Sequence, residues 1–242
     1  MTTKPKFMTW SDNKLPDQSV MAGPPWRDWV GRYLCEGDSN IHFMNVRQAI
    51  SPECFNIGQG GDVPGGVITK FDAEVKPKFD RGEIKVEKAY IQIGANRWGS
   101  VPLEVVNLNT VPFETEMRTI MQKYKQILPA KDIVIASHPY TAPWLRITDW
   151  PTTKSYDEQT REAMNKFSAN AFFRMVNNNL IHVCKEEGVK YLDIFTPLEE
   201  IWRTNYSECL LWGKQKRWHD EVHYDAHVGM VVGQLVRNLW GI

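Results

Sequence analysis

Apolar residues in this chain fall into short unbroken runs, separated by longer stretches in which they recur every three or four positions. The runs are Arg32–Cys35, Cys54–Ile57, Ala89–Ile93, Asp132–Ala136 and Lys190–Phe195. They are continuous rather than alternating, which is the pattern of strands covered on both faces. Between them, Glu114–Leu128 sets Met117, Ile120, Met121, Tyr124, Ile127 and Leu128 on one helical face. Glu162–Glu187 repeats that spacing through Phe167, Ala171, Val176, Leu180 and Cys184, and Gly188 follows as a C-cap. The last segment carries Val228, Val231, Val232, Leu235, Val236 and Leu239 at helical intervals. Strands alternating with helices predict a parallel sheet with helices on both faces, a single α/β domain over residues 31–242. Residues 1–30 hold Pro5, Pro16, Pro24 and Pro25 without sustained periodicity. They predict an extension packed on the domain, anchored by Trp10, Trp26 and Trp29.

Length and composition narrow the function. At 242 residues the chain can bury a sizeable core without metals or disulfides as staples. Lys and Arg total 29 and Asp and Glu total 29, so the basic field expected of a nucleic-acid binder is missing. No stretch approaches the roughly 18 apolar residues of a membrane span. The first residues show no apolar signal region, which makes a cytoplasmic location the default expectation. Cys35, Cys54, Cys184 and Cys209 lack the paired spacing of zinc or redox motifs and read as buried free thiols. Ten Trp is a high count, and several fall in segments without periodicity.

Ligands of open parallel sheets bind beyond the carboxyl ends of the strands, so the segments after each run carry the chemistry. Glu36-Gly37-Asp38-Ser39-Asn40 follows the first run, Asn56-Ile57-Gly58-Gln59-Gly60-Gly61-Asp62 the second, and Gly94-Ala95-Asn96-Arg97 the third. Taken singly each is ordinary turn chemistry, and the glycine stretch lacks the Lys-Ser/Thr of a P-loop. Before the final helical segment comes Asp220-Glu221-Val222-His223. An Asp three residues before a His can turn back to accept the imidazole Nδ1–H, which leaves Nε2 as a base. A serine needs such a base to become a nucleophile. Backbone N–H groups of a glycine loop and an Asn amide are donors of the kind that stabilise an oxyanion.

In this order and placement the four segments resemble the SGNH (GDSL-like) hydrolase superfamily. The resemblance spans about residues 32 to 240, although only short blocks match. It implies a three-layer α/β/α sandwich with a flavodoxin-like parallel sheet of about five strands, and no metal or organic cofactor. Ser39 would be the nucleophile, His223 the general base and Asp220 its orienting partner. The oxyanion donors would be the N–H groups of Ser39 and Gly61 and the Asn96 side chain. The implied activity is serine ester hydrolysis of short acyl or acetyl groups. Acylated carbohydrate is the leading substrate, and lipid or small-molecule esters are the nearest alternative. The third block departs from the family pattern, with Arg97 in place of the usual Asp. Arg97 would pair with Asp62 or recognise a substrate carboxylate, or else it points to solvent.

Two other readings stay open at this stage. His219, Asp220 and His223 spell HDxxH, and His219, His223 and His227 would share one helical face as zinc ligands. The Glu of the usual zinc motif is absent, and the other blocks would go unexplained. An SGNH-like fold could also serve as a carbohydrate-binding or assembly module. Tyr140, Trp144, Trp150 and Tyr156, with Trp202, Tyr206, Trp212 and Trp218, offer flat faces for sugar rings or pins for long loops. Trp144 and Trp150 are the substrate-binding candidates.

Overall fold

The computed structural model describes residues 29–98, 110–140, 156–204 and 226–242. Each of the five apolar runs becomes a strand: β1 Tyr33–Gly37, β2 Cys54–Asn56, β3 Lys88–Gln92, β4 Ile133–Ala136 and β5 Lys190–Leu192. All pair in parallel, in the order β2-β1-β3-β4-β5. That is the flavodoxin-like order, and it puts the topological switch point at β1, whose neighbours on its two sides are β2 and β3. β1 and β4 are buried along their whole length, as their unbroken apolar character requires.

The helices are α1 Ser39–Phe43, α2 Val46–Ala49, α3 Pro64–Lys70, α4 Lys76–Asp80, α5 Ala95–Trp98, α6 Val111–Tyr124, α7 Tyr156–Glu187, α8 Phe195–Thr204 and α9 Ala226–Trp240. A π turn at Phe71–Val75 joins α3 to α4 just ahead of Pro77, whose missing N–H interrupts a regular α ladder. With the sheet these helices form the α/β/α sandwich. α6 starts at Val111, three residues earlier than expected, with Pro112 in its first turn. α7 extends back to Tyr156, and Gly188 closes it at φ 69° with the Val189 N–H bonded to the Cys184 carbonyl.

Three sequence expectations need correction. The fifth strand stops at Leu192 rather than Phe195. The N–H groups of Ile194 and Phe195 turn to the Ser137 hydroxyl, and Asp193 accepts from the Thr196 N–H to open α8. Trp202 therefore lies in a helix, not a loop. Tyr140 is a buried core residue with its ring edge-on to Phe195, not an open sugar platform. Cys35, Cys54 and Cys184 are buried free thiols, while Cys209 lies outside the described residues. The extension through residue 28 also lies outside them. Trp29, at its end, packs 6.1 Å from the Phe55 ring with the Lys78 ammonium over its face.

α9 packs on α2 and touches β5. A Cβ built on Gly233 would sit 2.1 Å from the Ala49 carbonyl oxygen, which also accepts from the Arg237 guanidinium. Only hydrogen fits there. Gly233→Ala should therefore cost roughly 1–3 kcal/mol through overpacking, despite Ala's higher helix propensity. Urea denaturation checks this, and an unchanged or raised midpoint would mean that the two helices stand further apart.

Candidate active site

β1 ends at Gly37, whose φ of 157° and lack of a side chain let the chain pass close to β3. A Cβ there would meet the Gln92 carbonyl oxygen at 2.0 Å. Asp38 then caps α1, its carboxylate accepting from the Asn40 N–H at 3.0 Å and its carbonyl from those of Ile41 and His42. Ser39 is the first helical residue, and its N–H stands outside this capping scheme. At 6% exposure, Ser39 lies just beneath the surface.

Hydrogen bonds stitch the three blocks together on one edge of the sheet. The Gln59 N–H donates to the Gly37 carbonyl at 2.9 Å, and the Asp38 N–H donates to the Gln92 carbonyl at 3.2 Å. The Asn96 side-chain amide donates to the Asp62 carbonyl at 2.9 Å, and the His42 Nδ1 lies 3.2 Å from the Gly58 carbonyl. Asn96, in the first turn of α5, is exposed, and Gly61 is exposed at φ 76°. Ser39 at the start of α1, Gly61 in the loop after β2 and Asn96 in α5 thus lie on three segments joined to one another. His138 packs under the third block: a Cβ on Gly94 would lie 2.5 Å from its Nε2. That histidine is fully buried and stacked on Phe173, and Asn177 Oδ1 meets its backbone N–H at 2.8 Å and its Nδ1 at 3.0 Å. Burial pulls its pKa down to about 4, so the ring is a neutral packing element.

Beneath the stitched loops lies a charged cluster that the sequence reading missed. Lys70, on α3, donates to Glu36 Oε1 at 2.7 Å, to the Ile57 carbonyl at 3.0 Å and to Asp62 Oδ2 at 3.0 Å. The other Glu36 oxygen accepts from the Tyr124 hydroxyl at 3.3 Å, and the Gly37 N–H donates to Oε1. Glu36, expected in a loop, is a fully buried strand residue. Asp62, offered as a partner for Arg97, is engaged by Lys70 and by its neighbouring Val63 N–H. The signal was a lysine three residues after Val67 on the buried face of α3, but Pro64-Gly65-Gly66 disguised the helix.

Arg97 has its backbone in α5, while its side chain lies outside the described residues. Asp220, His223, Trp144 and Trp150 also lie outside them, as does His219 and the side chain of His227. Among the described residues no cluster of His, Cys, Asp and Glu could hold a metal ion. No helix among them is long and apolar enough to cross a membrane.

Solved structures share this architecture. A member of the lipolytic G-D-S-L family from Veillonella parvula superposes at a TM-score of 0.56, over 88% of this chain and 99% of that one, with 13% identity. Axe2, an acetylxylan esterase from Geobacillus stearothermophilus, gives 0.54 over 88% and 96%, with 17% identity. A gut microbial diltiazem-metabolizing enzyme gives 0.57 at 16% identity, over 91% of this chain and 48% of its own length. No protein-family model and no curated protein matches the sequence. The chain has the SGNH-hydrolase fold.

Desolvation pushes the Glu36 carboxyl up to about 7 from its ordinary 4.5, with Lys70 opposing the rise and Asp62 adding to it. A raised acid holds its proton more tightly when folded, so its favourable share is complete below the unfolded pKa and fades as pH rises through the folded one. Folding stability should fall between about pH 5 and pH 8, with about 3 kcal/mol of the fall due to Glu36. Glu36→Gln should remove that share of the slope in urea titrations; identical slopes would contradict the assignment.

Proposed function

We propose that the protein is a serine ester hydrolase that removes short acyl or acetyl groups, with acylated carbohydrate as its substrate class. The observation that carries this reading is the stitching of the Ser39, Gly61 and Asn96 loops onto one edge of an SGNH-type sheet. The naming of Axe2 as an acetylxylan esterase supports the substrate class, and its catalytic mutants at a serine and at a histidine support the residue types.

In this reading His223 accepts the Ser39 hydroxyl proton as Oγ attacks the ester carbonyl, while Asp220 holds the imidazole in the required tautomer. The N–H groups of Ser39 and Gly61 and the Asn96 amide receive the developing oxyanion. His223 then protonates the departing alcohol, and water, activated by the same base, releases the acid from the acyl-serine. The sequence order supports the base assignment: His223 lies three residues before Ala226, the first residue of α9. That helix packs on α2, and its Gly229 faces Met44, the residue that closes α1. Arg97 would contribute charge beside the pocket, and Trp144 and Trp150 would give sugar rings a flat face.

Wild type should hydrolyse p-nitrophenyl acetate in the presence of EDTA, and Ser39→Ala should abolish the activity. Asn96→Ala should lower kcat by roughly 100- to 1000-fold. Activity lost to EDTA and kept in Ser39→Ala would instead move the chemistry to the histidine cluster. Inactivity on this ester and on acylated glycans alike would favour a binding module. Truncating Trp144 or Trp150 should weaken hydrolysis of glycan esters more than that of p-nitrophenyl acetate, measured as kcat/KM. Equal losses on both would make the two residues structural.

A further inference from the structure

Lys70 is 6% exposed, and each of the three protons on its ammonium has a buried acceptor: Glu36 Oε1, the Ile57 carbonyl and Asp62 Oδ2. Those acceptors are not scattered. Glu36 stands three residues before Ser39, Ile57 four residues before Gly61, and Asp62 directly after Gly61. Asp62 also receives the Asn96 amide on its carbonyl. One ammonium therefore joins the strand that delivers the serine to both ends of the glycine loop, and through Asp62 to the third block.

The loop needs such a tie. Among the described residues a Cβ built on Gly60 or Gly61 meets nothing within 4 Å, so packing at these two positions does not hold the tip. Polar anchors at its ends include the Gln59 N–H on the Gly37 carbonyl, the Asp62 N–H on the Gln59 carbonyl, the His42 ring at the Gly58 carbonyl, the Asn96 amide on the Asp62 carbonyl, and Lys70. A buried ion pair is a poor device for stability alone, because desolvation offsets most of its attraction. Its directional bonds are well suited to fixing position.

We infer that Lys70 is a positioning residue, a buried brace that holds the Gly61 N–H and the Asn96 amide in register with Ser39. This inference rests on the esterase reading for its kinetic consequence but not for its structural one. Oxyanion donors stabilise charge only when they are fixed before it develops. Loosening the loop should therefore weaken the transition state and leave ground-state binding nearly unchanged.

The test compares wild type, Lys70→Met and the double variant Glu36→Gln/Lys70→Met. Hydrogen exchange of peptides covering residues 57–62 and 88–92 is measured beside p-nitrophenyl acetate kinetics. The double variant is the gentler of the two, since Lys70→Met strands two buried carboxylates and the double variant only Asp62, which keeps its Val63 N–H. Exchange in 57–62 should rise roughly tenfold or more while β3 keeps its protection. In parallel kcat should fall roughly 10- to 100-fold, with KM within about threefold of wild type. Wild-type exchange in the loop, a uniform rise across the sheet, or unchanged kcat in the folded double variant would each overturn the inference. If wild type shows no hydrolysis that depends on Ser39, the esterase reading fails instead. Exchange then decides alone: a rise confined to 57–62 supports the brace, and protection equal to wild type overturns it.

Discussion

At the carboxyl end of β1 the backbone bonds to both sides within two residues. The Gly37 carbonyl accepts from Gln59 in the loop after β2, and the Asp38 N–H donates to Gln92 at the end of β3. On the β3 side the chain comes closer to Gln92 than any side chain at position 37 would permit. Because β1 is the strand at which the sheet order reverses, these bonds also fix where the loops after β2 and β3 begin. The edge that carries Ser39, Gly61 and Asn96 is thus a consequence of parallel pairing around one strand that ends in glycine.

That arrangement has an electrostatic cost, and the cluster under the loops shows how the fold meets it. Glu36 and Asp62 are both buried, and two bare carboxylates there would be untenable. Lys70 supplies one cation between them, and the Tyr124 hydroxyl and Gly37 N–H complete the partners of Glu36. Burial and the neighbouring Glu36 raise the Tyr124 hydroxyl well above its ordinary range, so it remains a donor. Removing one partner from such a cluster leaves a buried charge exposed to the full desolvation penalty, typically about 3–5 kcal/mol. The cluster and the loops are therefore one unit rather than a site resting on an independent core.

The sheet was legible in the sequence because β1, β3 and β4 are buried on both faces and so carry unbroken apolar runs. The blocks after them could be placed for the same reason. Boundaries were less legible where a polar side chain ends an element: Ser137 takes the N–H groups of Ile194 and Phe195 and cuts β5 short, a contact between residues 57 and 58 positions apart. α3 was hidden because Pro64, Gly65 and Gly66 look like breakers, although proline suits the first helical turn. Glu36 and Lys70 were missed together. Each alone reads as a surface charge, and only the fold shows that residues 34 positions apart neutralise one another. The Asp220 and His223 assignments rest on the sequence pattern, three residues ahead of α9 for His223.

The central claim is that Ser39 is a nucleophile activated by its surroundings. The most direct test is to treat the native protein with a fluorophosphonate, locate any adduct by mass spectrometry of the digested chain, and repeat the reaction with His223→Ala. The account predicts one phosphonyl group per chain, on Ser39, forming at a rate that collapses in His223→Ala. An unlabelled Ser39, an adduct on another residue, or labelling indifferent to His223 would contradict it.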